Sequence, residues 1–190
     1  GEWLVRKILP ENPGRAIMQD YINRGIRLIH DDPVTEILET GDKYHVKTGD
    51  GLDLEADIIV AGIGVSPAVS FAENTGIEFN DGIVVDSNLQ TSVPGIYAAG
   101  DIANFPYKAL SDRRRVEHWD NAVTQGRIAG RNMAGESSEY DHMPYFFADF
   151  FDFGFEAVGD VDAKLDVVAD WQEENTKGVL YYMRDNICLL

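Results

Sequence analysis

The feature that most constrains the fold is an apolar, β-branched run that ends in a glycine-rich turn. Residues 57–61 read Asp-Ile-Ile-Val-Ala, and Gly-Ile-Gly-Val-Ser-Pro follows at 62–67. Continuous β-branched runs are typical of strands that are buried on both faces in a parallel sheet. Glycines directly after such a strand let the backbone approach a phosphate or a ribose. The sequence therefore predicts a buried strand at 57–61, a candidate cofactor-binding turn at Gly62 and Gly64, and a short helix at 68–74.

This turn is not a complete dinucleotide-binding fingerprint, because Pro67 stands where the third glycine is expected. A tight crossover turn that needs only backbone freedom explains the two glycines equally well. The segment alone therefore leaves both interpretations open.

A second unit of the same type follows, with an extended segment at 82–85 and a predicted buried strand at 95–99 that ends in Gly100 and Asp101. An acidic residue at this place can accept hydrogen bonds from a sugar or ribityl diol. The same position also suits a residue that caps the following turn. Local chemistry does not decide between these two roles for Asp101.

The longest helical pattern runs from 116 to 134 and follows Arg113-Arg114-Arg115 and Glu117-His118-Trp119. Three arginines before a helix N-terminus oppose the helix dipole unless an anion lies nearby, and the alternative is a solvated loop. For His118 the alternative is an ordinary hydrogen-bonded side chain. One apolar stripe is expected to face the core, and it consists of Val116, Trp119, Ala122, Val123, Gly126, Ala129 and Met133.

The remaining pattern predicts a helix at 13–24 that ends at Gly25, and a meander of strands at 33–38, 44–48 and 52–56. A polar linker at 135–139 precedes an aromatic-rich segment at 145–155, which suits a core or an interface, or alternatively a shield for a cofactor. Short strands at 157–161, 165–171 and 177–183 then predict an antiparallel sheet. Both chain ends look cut rather than finished.

Composition excludes several classes of function. The 190 residues carry 33 acidic and 16 basic side chains, a net charge of −17, so nucleic acid and membrane surfaces are not expected partners. The single Cys188 excludes an internal disulfide, a CxxC pair and a cysteine zinc site. The motifs GxxxxGK[ST], GxSxG and HExxH are absent, and no residues with metal-ligand spacing occur. Without a readable signal peptide, the expected location is the cytoplasm.

Three stretches in this order resemble the FAD-dependent pyridine nucleotide-disulfide oxidoreductase superfamily. They are residues 56–67, the stretch that ends in Gly100-Asp101, and Arg-Val-Glu-His-Trp-Asp-Asn-Ala at 115–122. The most similar branch contains the ferredoxin-reductase and apoptosis-inducing-factor-like NAD(P)H oxidoreductases, and residues 144–149 and 155–160 are similar to the C-terminal domain of the latter. The resemblance implies an α/β fold with partial Rossmann-like FAD/NAD(P)-binding units, followed by an α+β antiparallel-sheet domain.

The resemblance also implies roles for matching positions. Gly62 and Gly64 would lie near bound NAD(P)H, and Gly100 and Asp101 at the ribityl chain of FAD. The segment Glu117-His118-Trp119 would begin the helix beside the isoalloxazine, where a helix N-terminus favours negative charge. Hydride passes from NAD(P)H to FAD in this family, and electrons then leave to an external acceptor. No side chain needs to act as a catalytic acid or base.

By the same resemblance, residues 1–66 are the C-terminal part of an NAD(P)H-binding domain, 67–135 that of an FAD-binding domain, and 136–190 part of a C-terminal interface domain. The partners implied are a nicotinamide nucleotide and an unidentified electron acceptor, with a homodimer left open. Neither GxGxxG fingerprint is present, so the chain alone is expected to bind FAD and NAD(P)H weakly or not at all. The rival interpretations are a non-catalytic acidic interaction module and an apo fragment that self-associates.

Overall fold

A computed structural model describes residues 2–185 and 187–189 of the chain. It divides into two units: one comprises the chain up to Val65 together with residues 170–179, and the other comprises residues 66–169 and the chain from Leu180 onward. The first contains helix α1 (Glu11–Asn23) and strands β1 (Val34–Thr40), β2 (Lys43–Thr48) and β3 (Asp53–Ala56). The second contains β4 (Ile83–Val84), β5 (Ala103–Tyr107), β6 (Asp112–Arg115), α2 (Trp119–Met133), β7 (Tyr145–Phe150) and β8 (Phe153–Val158). Strands β9 (Asp166–Glu173), β10 (Lys177–Arg184) and β11 (Ile187–Cys188) end the described chain.

The first unit confirms the predicted helix and meander. Helix α1 buries Ile17 and Met18, and Gly25 adopts a left-handed φ of 83° directly after the C-cap, as a helix terminator does. Strands β1, β2 and β3 pair in that order and antiparallel, with a left-handed Gly41 in the turn that joins β1 to β2. Turn chemistry at the glycines therefore predicted this sheet correctly.

The predicted strand at 57–61 is wrong. Residues 58–69 form no regular element, and Ile58, Val60 and Ile63 are 79%, 91% and 94% exposed. The physical reason is the absence of a neighbour: in the part of the chain that the structure describes, no strand pairs with this segment, so its backbone has no ladder to join. The helix predicted at 68–74 is also wrong, because only one 3₁₀ turn, Ser70–Ala72, forms there.

The predicted strand at 95–99 is wrong as well, and the buried strand follows the Gly100-Asp101 turn instead of preceding it. Only an isolated bridge forms there, between Gln90 and Tyr97. Residues 86–98 instead close a tight loop in which the amide of Ala98 donates to the carbonyl of Leu89. Strand β5 is almost entirely buried and lies between β4, to which it is parallel, and β6, to which it is antiparallel.

The arginine run at 113–115 is not a solvated loop, because it forms part of strand β6. Its side chains bind carbonyls and carboxylates of the chain itself, and not a separate anion. Pairing with β5 fixes its backbone. The Arg113 guanidinium donates to the carbonyls of Val85 and Asn104, while Arg114 lies over the Tyr107 ring and pairs with Asp112 and Asp160. These arginines therefore stabilise the second unit through internal acceptors.

Helix α2 confirms the long helical pattern, but of the predicted apolar stripe only Ala129 belongs to its buried face. The buried residues are Asn121, Gln125, Ala129 and Asn132, whereas Trp119 is 74% and Met133 68% exposed. Buried amides are used here because they satisfy backbone groups of neighbouring loops. Asn132, for example, donates to the carbonyls of Asn88 and Ser138 at 2.9 and 2.8 Å.

The strands predicted at 165–171 and 177–183 are confirmed as β9 and β10, whereas the strand predicted at 157–161 is wrong, because β8 ends at Val158 and the next strand begins at Asp166. Strands β7 and β8 form a hairpin, and β9, β10 and β11 form a second sheet in the order β11-β10-β9. In the hairpin, Phe155 contacts Phe146 edge to face at 5.8 Å and stacks on Phe150 at 6.0 Å between ring centroids. Within residues 2–185 and 187–189, none of the helices has the length and apolar character that crossing a membrane requires.

Candidate cofactor site

The centre of the site is the 3₁₀ turn Gly100–Ile102, which is fixed against α2. The amide of Gly100 donates to the side-chain oxygen of the fully buried Gln125 at 2.8 Å. Gly100 has a left-handed φ of 78°, and a Cβ atom there would lie 3.3 Å from the Cβ of Ala122. Glycine is therefore required at this position both by conformation and by the close approach of the helix.

Arg115 holds the other side of the turn. Its guanidinium donates to the Asp101 carbonyl at 3.0 Å, approaches the Asp81 carboxylate at 3.4 Å and forms an ion pair with Glu117. The hydrogen bond with Glu117, reinforced by Asp81, raises the pKa of Arg115. The Asp101 carboxylate itself is exposed and has no hydrogen-bond partner among the described residues. The backbone of Asp101 is thus fixed while its carboxylate is free to accept hydrogen bonds from a ligand.

The N-terminus of α2 forms another wall of the site. His118 is its N-cap residue, and no side chain caps the first turn within the described chain. Uncapped amides and the helix dipole together favour a negative charge at this end. Trp119, the first helical residue, exposes its indole, which makes the ring available for contact.

His118 is held by an aromatic neighbour and carries an unsatisfied nitrogen. Its ring centroid lies 4.5 Å from that of Phe146. Burial lowers the pKa of His118, and the nearby Asp101, Asp120 and Glu117 oppose this shift. Its Nδ1 and the Nε2 of Gln125 are buried without a hydrogen-bond partner in the described part of the chain. Buried polar atoms are rarely left unpaired, so these two fit a polar ligand at this turn.

The structure brings five of the seven predicted site residues into one unit and leaves two apart. All five lie in the second unit: Gly100, Asp101, Glu117, His118 and Trp119. Gln125 binds Gly100, and Arg115 binds both Asp101 and Glu117. The other two, Gly62 and Gly64, lie in the first unit. A Cβ atom added to either of them would meet nothing within 4 Å. Their proposed role near NAD(P)H stays a prediction.

Sequence reasoning missed Gln125 as the residue that positions the turn. An apolar periodicity search passes over buried amides, because they look polar in the sequence. Their spacing was the available signal, since Asn121 and Gln125 are four residues apart and therefore share one helix face.

Within the described residues, no group of three or more His, Cys, Asp or Glu side chains is placed to hold a metal ion.

The chain is similar to known proteins over most of its length. The chain is 38% identical over 165 residues to monodehydroascorbate reductase 3 of Arabidopsis thaliana, an alignment that covers 83% of the chain and 37% of the relative. It is 31% identical over 185 residues to apoptosis-inducing factor 3 of Mus musculus, covering 95% and 31%. The crystal structure of the ferredoxin reductase for the CYP199A2 system from Rhodopseudomonas palustris superposes with a TM-score of 0.84 at 30% identity, covering 96% of this chain and 45% of that one.

The chain therefore spans less than half the length of these proteins. A family model described as pyridine nucleotide-disulphide oxidoreductase matches residues 1–126, which include every residue of the site described above except the aromatic neighbour from β7. Since this match extends over well more than half of the 190 residues, the chain belongs to the pyridine nucleotide-disulphide oxidoreductase family.

Proposed function

We propose that this chain forms part of a flavoprotein oxidoreductase that transfers hydride from NAD(P)H to FAD and passes electrons to an external acceptor. Asp101 binds the ribityl chain, and His118 and Trp119 lie beside the isoalloxazine. Gly62 and Gly64 lie near the nicotinamide nucleotide. Membership of the family supports this proposal, and so do the names of two similar proteins, a monodehydroascorbate reductase and a ferredoxin reductase.

The observation that carries the proposal is the fixed Gly100-Asp101 turn. Gln125 and Arg115 hold its backbone from two sides, yet the Asp101 carboxylate, His118 Nδ1 and Gln125 Nε2 have no partner in the described chain. A rigid backbone around unsatisfied polar atoms is what a preorganised ligand site requires. Hydroxyl groups of a ribityl chain are suitable donors to the carboxylate.

The chain's own residues would orient the cofactor and stabilise charge rather than transfer protons. When bound, FAD supplies the hydride-accepting and electron-releasing chemistry. The uncapped N-terminus of α2 favours negative charge at the site, and burial lowers the pKa of His118, which favours its neutral imidazole. Phe146 covers one face of that imidazole and limits its access to water.

The identity of the electron acceptor is not proposed. The names of the similar proteins indicate different acceptors, since one is a monodehydroascorbate reductase and another is a ferredoxin reductase. We propose only that the acceptor is external to the chain, which agrees with its having a single cysteine and hence no internal redox disulfide.

A visible absorption spectrum tests the function. It is recorded on the full polypeptide that carries this chain, as isolated and after FAD is added and the excess removed. A retained flavin band that bleaches with NADH or NADPH is expected. In Asp101→Ala the retained flavin should fall strongly, whereas Asp42→Ala, in the exposed turn between β1 and β2, should keep the band of the parent protein.

A second pair of variants separates positioning from direct contact. Gln125→Leu removes the acceptor of the Gly100 amide and should lower flavin retention through the position of the turn, although the Asp101 carboxylate itself is unchanged. Trp119→Ala should change the flavin spectrum more than it changes folding, because this indole is largely exposed. Unchanged flavin content in Asp101→Ala would contradict the assignment of the site.

A self-associating protein without cofactor is a second candidate, and one observation favours it. Four apolar side chains are at least 75% exposed in an irregular segment that pairs with no strand within the described residues, and they are Ile58, Val60, Ile63 and Val65. Such a segment is a template for pairing with another chain. Sedimentation or mass measurement tests this, because a monodisperse monomer would exclude self-association, and a colourless dimer would favour it over the reductase.

A further inference from the structure

The loop at residues 80–82 packs against the turn of the candidate site. Gly82 has a left-handed φ of 106°, and a Cβ atom there would collide with the Ile102 carbonyl oxygen and lie 2.9 Å from Cδ of Arg115. The buried side chain of Asn104 donates to the first carbonyl of this loop at 2.6 Å. The loop is therefore fixed against both the turn and the stem of Arg115.

One guanidinium joins this loop to the turn and to the start of α2. Nη1 of Arg115 donates to the Asp101 carbonyl at 3.0 Å and to the Glu117 carboxylate. Nε of the same side chain lies 3.4 Å from the Asp81 carboxylate. The side chain of Arg115 is only 13% exposed. Because one nitrogen binds both the turn and Glu117, displacing one of these partners shifts the other.

The two acids on this nitrogen are used in different ways. Glu117 is ion-paired with Arg115, so its carboxylate is occupied within the chain. Asp101 is bound through its carbonyl, while its exposed carboxylate has no hydrogen-bond partner among the described residues. Asp101 is thus the acid that can bind a ligand, and Glu117 is the acid that supports the turn.

The charges of these acids give the guanidinium a second role. Asp101 and Glu117 both act electrostatically on His118, so their negative charges converge on the same end of α2. Like charges at short range repel each other, and a shielded cation is screened less by salt than an exposed one. Arg115 therefore compensates negative charge at a place where reduced flavin would add more.

We propose that Arg115 is a positioning residue of the flavin site, which fixes the Asp101 turn and offsets the negative charge around it. Glu117 acts on the cofactor through Arg115 and not by direct contact. The loop at 80–82 belongs to the site because Gly82 leaves room for the Arg115 side chain. This inference rests on the proposed function, since it concerns FAD, but the fixation of the turn can be measured without the cofactor.

Substitutions in the full polypeptide separate the charge of Arg115 from its bulk. Arg115→Met keeps an unbranched stem beside Gly82 but has neither charge nor donor. It should raise the dissociation constant for FAD about tenfold or more, as the loss of a charge-assisted hydrogen bond predicts. Arg115→Lys keeps the charge and a donor and should restore most of the affinity. Arg114→Met is the matched control and should leave the constant unchanged, because Arg114 lies in the same strand but pairs with Asp112 and Asp160. Flavin fluorescence during FAD titration measures all four proteins.

The midpoint potential of the bound flavin distinguishes this role from a merely structural one. Reduced flavin carries negative charge, so loss of the cation in Arg115→Met should lower the potential. Arg115→Lys and Arg114→Met should both keep it. A redox titration against a reference dye, followed by flavin absorbance, measures the shift.

A double variant tests the indirect role of Glu117. Glu117→Gln should weaken FAD binding less than Arg115→Met does. In the Arg115→Met background it should have no further effect, because both substitutions act through one guanidinium.

Amide hydrogen exchange in the 190-residue chain tests the positioning without FAD. The Ala103 amide donates to the Gly100 carbonyl and closes the turn, whereas the Ala98 amide donates to the Leu89 carbonyl in the preceding loop. Arg115→Met should speed the exchange of the Ala103 amide about tenfold relative to that of Ala98, because local opening of the turn becomes easier.

The inference is overturned by an equal exchange ratio in Arg115→Met and the parent chain, or by equal FAD affinities of Arg115→Met and Arg115→Lys. Additive effects of Arg115→Met and Glu117→Gln would also overturn it, since they would mean that Glu117 contacts the cofactor itself. A parent polypeptide that retains no flavin would instead contradict the proposed function, and the exchange ratio would still decide whether Arg115 fixes the turn.

Discussion

Two glycine turns of this molecule lie in opposite environments. The turn with Gly62 and Gly64 belongs to an exposed segment of the first unit, where neither glycine has a neighbour within reach of an added Cβ. The turn at Gly100 in the second unit is buried, bonded to Gln125 and packed against Ala122. Similar local sequences thus produce a free backbone in one place and a fixed one in the other.

The difference comes from elements that are distant in the sequence. Gly100 is fixed by a helix whose contacting side chain lies 25 residues further along the chain. The segment around Gly62 has no such helix or strand beside it within the described residues of the first unit. Rigidity is therefore supplied by tertiary neighbours and not by the glycine pattern itself.

The same substitution, valine to alanine, should have very different effects on stability in the two units. Val85→Ala removes two methyl groups from a side chain that is 1% exposed, and it should lower the free energy of unfolding by about 2–3 kcal/mol. Val60→Ala makes the same change at a side chain that is 91% exposed and should change it by less than about 0.5 kcal/mol. Urea unfolding midpoints measure both. Equal losses would show that Val60 is buried in solution.

The elements that could be predicted are those whose signal is local. Helix α1 and the sheet β1-β2-β3 have their own turn glycines, Gly25 and Gly41. The residue pattern that predicts each element lies within a short stretch of the sequence. The strand expected at 57–61 and the one expected at 95–99 rested on apolar runs alone. An apolar run indicates burial only if another element packs against it, and the run itself does not show whether such an element exists.

Glycine-to-alanine substitutions in the two turns should lower stability by smaller and unequal amounts. Gly100→Ala should cost at least about 1–2 kcal/mol, because alanine at a left-handed φ is strained and its Cβ also presses on Ala122. Gly64→Ala has the same strain, at a φ of 95°, but open space around it, so it should cost less. Gly62→Ala, without a left-handed φ, should be nearly neutral. Thermal or urea unfolding ranks the three, and a Gly64→Ala loss larger than that of Gly100→Ala would reverse the assignment of the rigid turn.

The sequence identified the residues of the candidate site, whose role towards a ligand stays a prediction, but it did not identify the residues that support them. Asp101 and Glu117-His118-Trp119 stand out by motif order, because their chemistry is carried by residue type. Gln125 and Arg115 act through single hydrogen bonds to the backbone of the turn, and those bonds exist only once β6 and α2 are in place. Supports of this kind depend on tertiary geometry, which a local pattern does not encode.

A still smaller effect is expected for the pH dependence of stability, and it concerns His118, the N-cap residue of α2. Burial lowers the pKa of His118, against the opposing influence of Asp101, Asp120 and Glu117. As the pH falls below about 6.5, the unfolded chain takes up a proton at this residue before the folded chain does, so stability falls between the unfolded and the folded pKa. His118→Gln stays neutral and should lose this part of the slope between pH 7 and pH 5. The exposed His30→Gln is the matched control, and urea midpoints across that range measure the difference. A slope that survives in His118→Gln would mean that the imidazole of His118 is as freely protonated in the fold as in water, and that its unpaired nitrogen faces solvent rather than a ligand site.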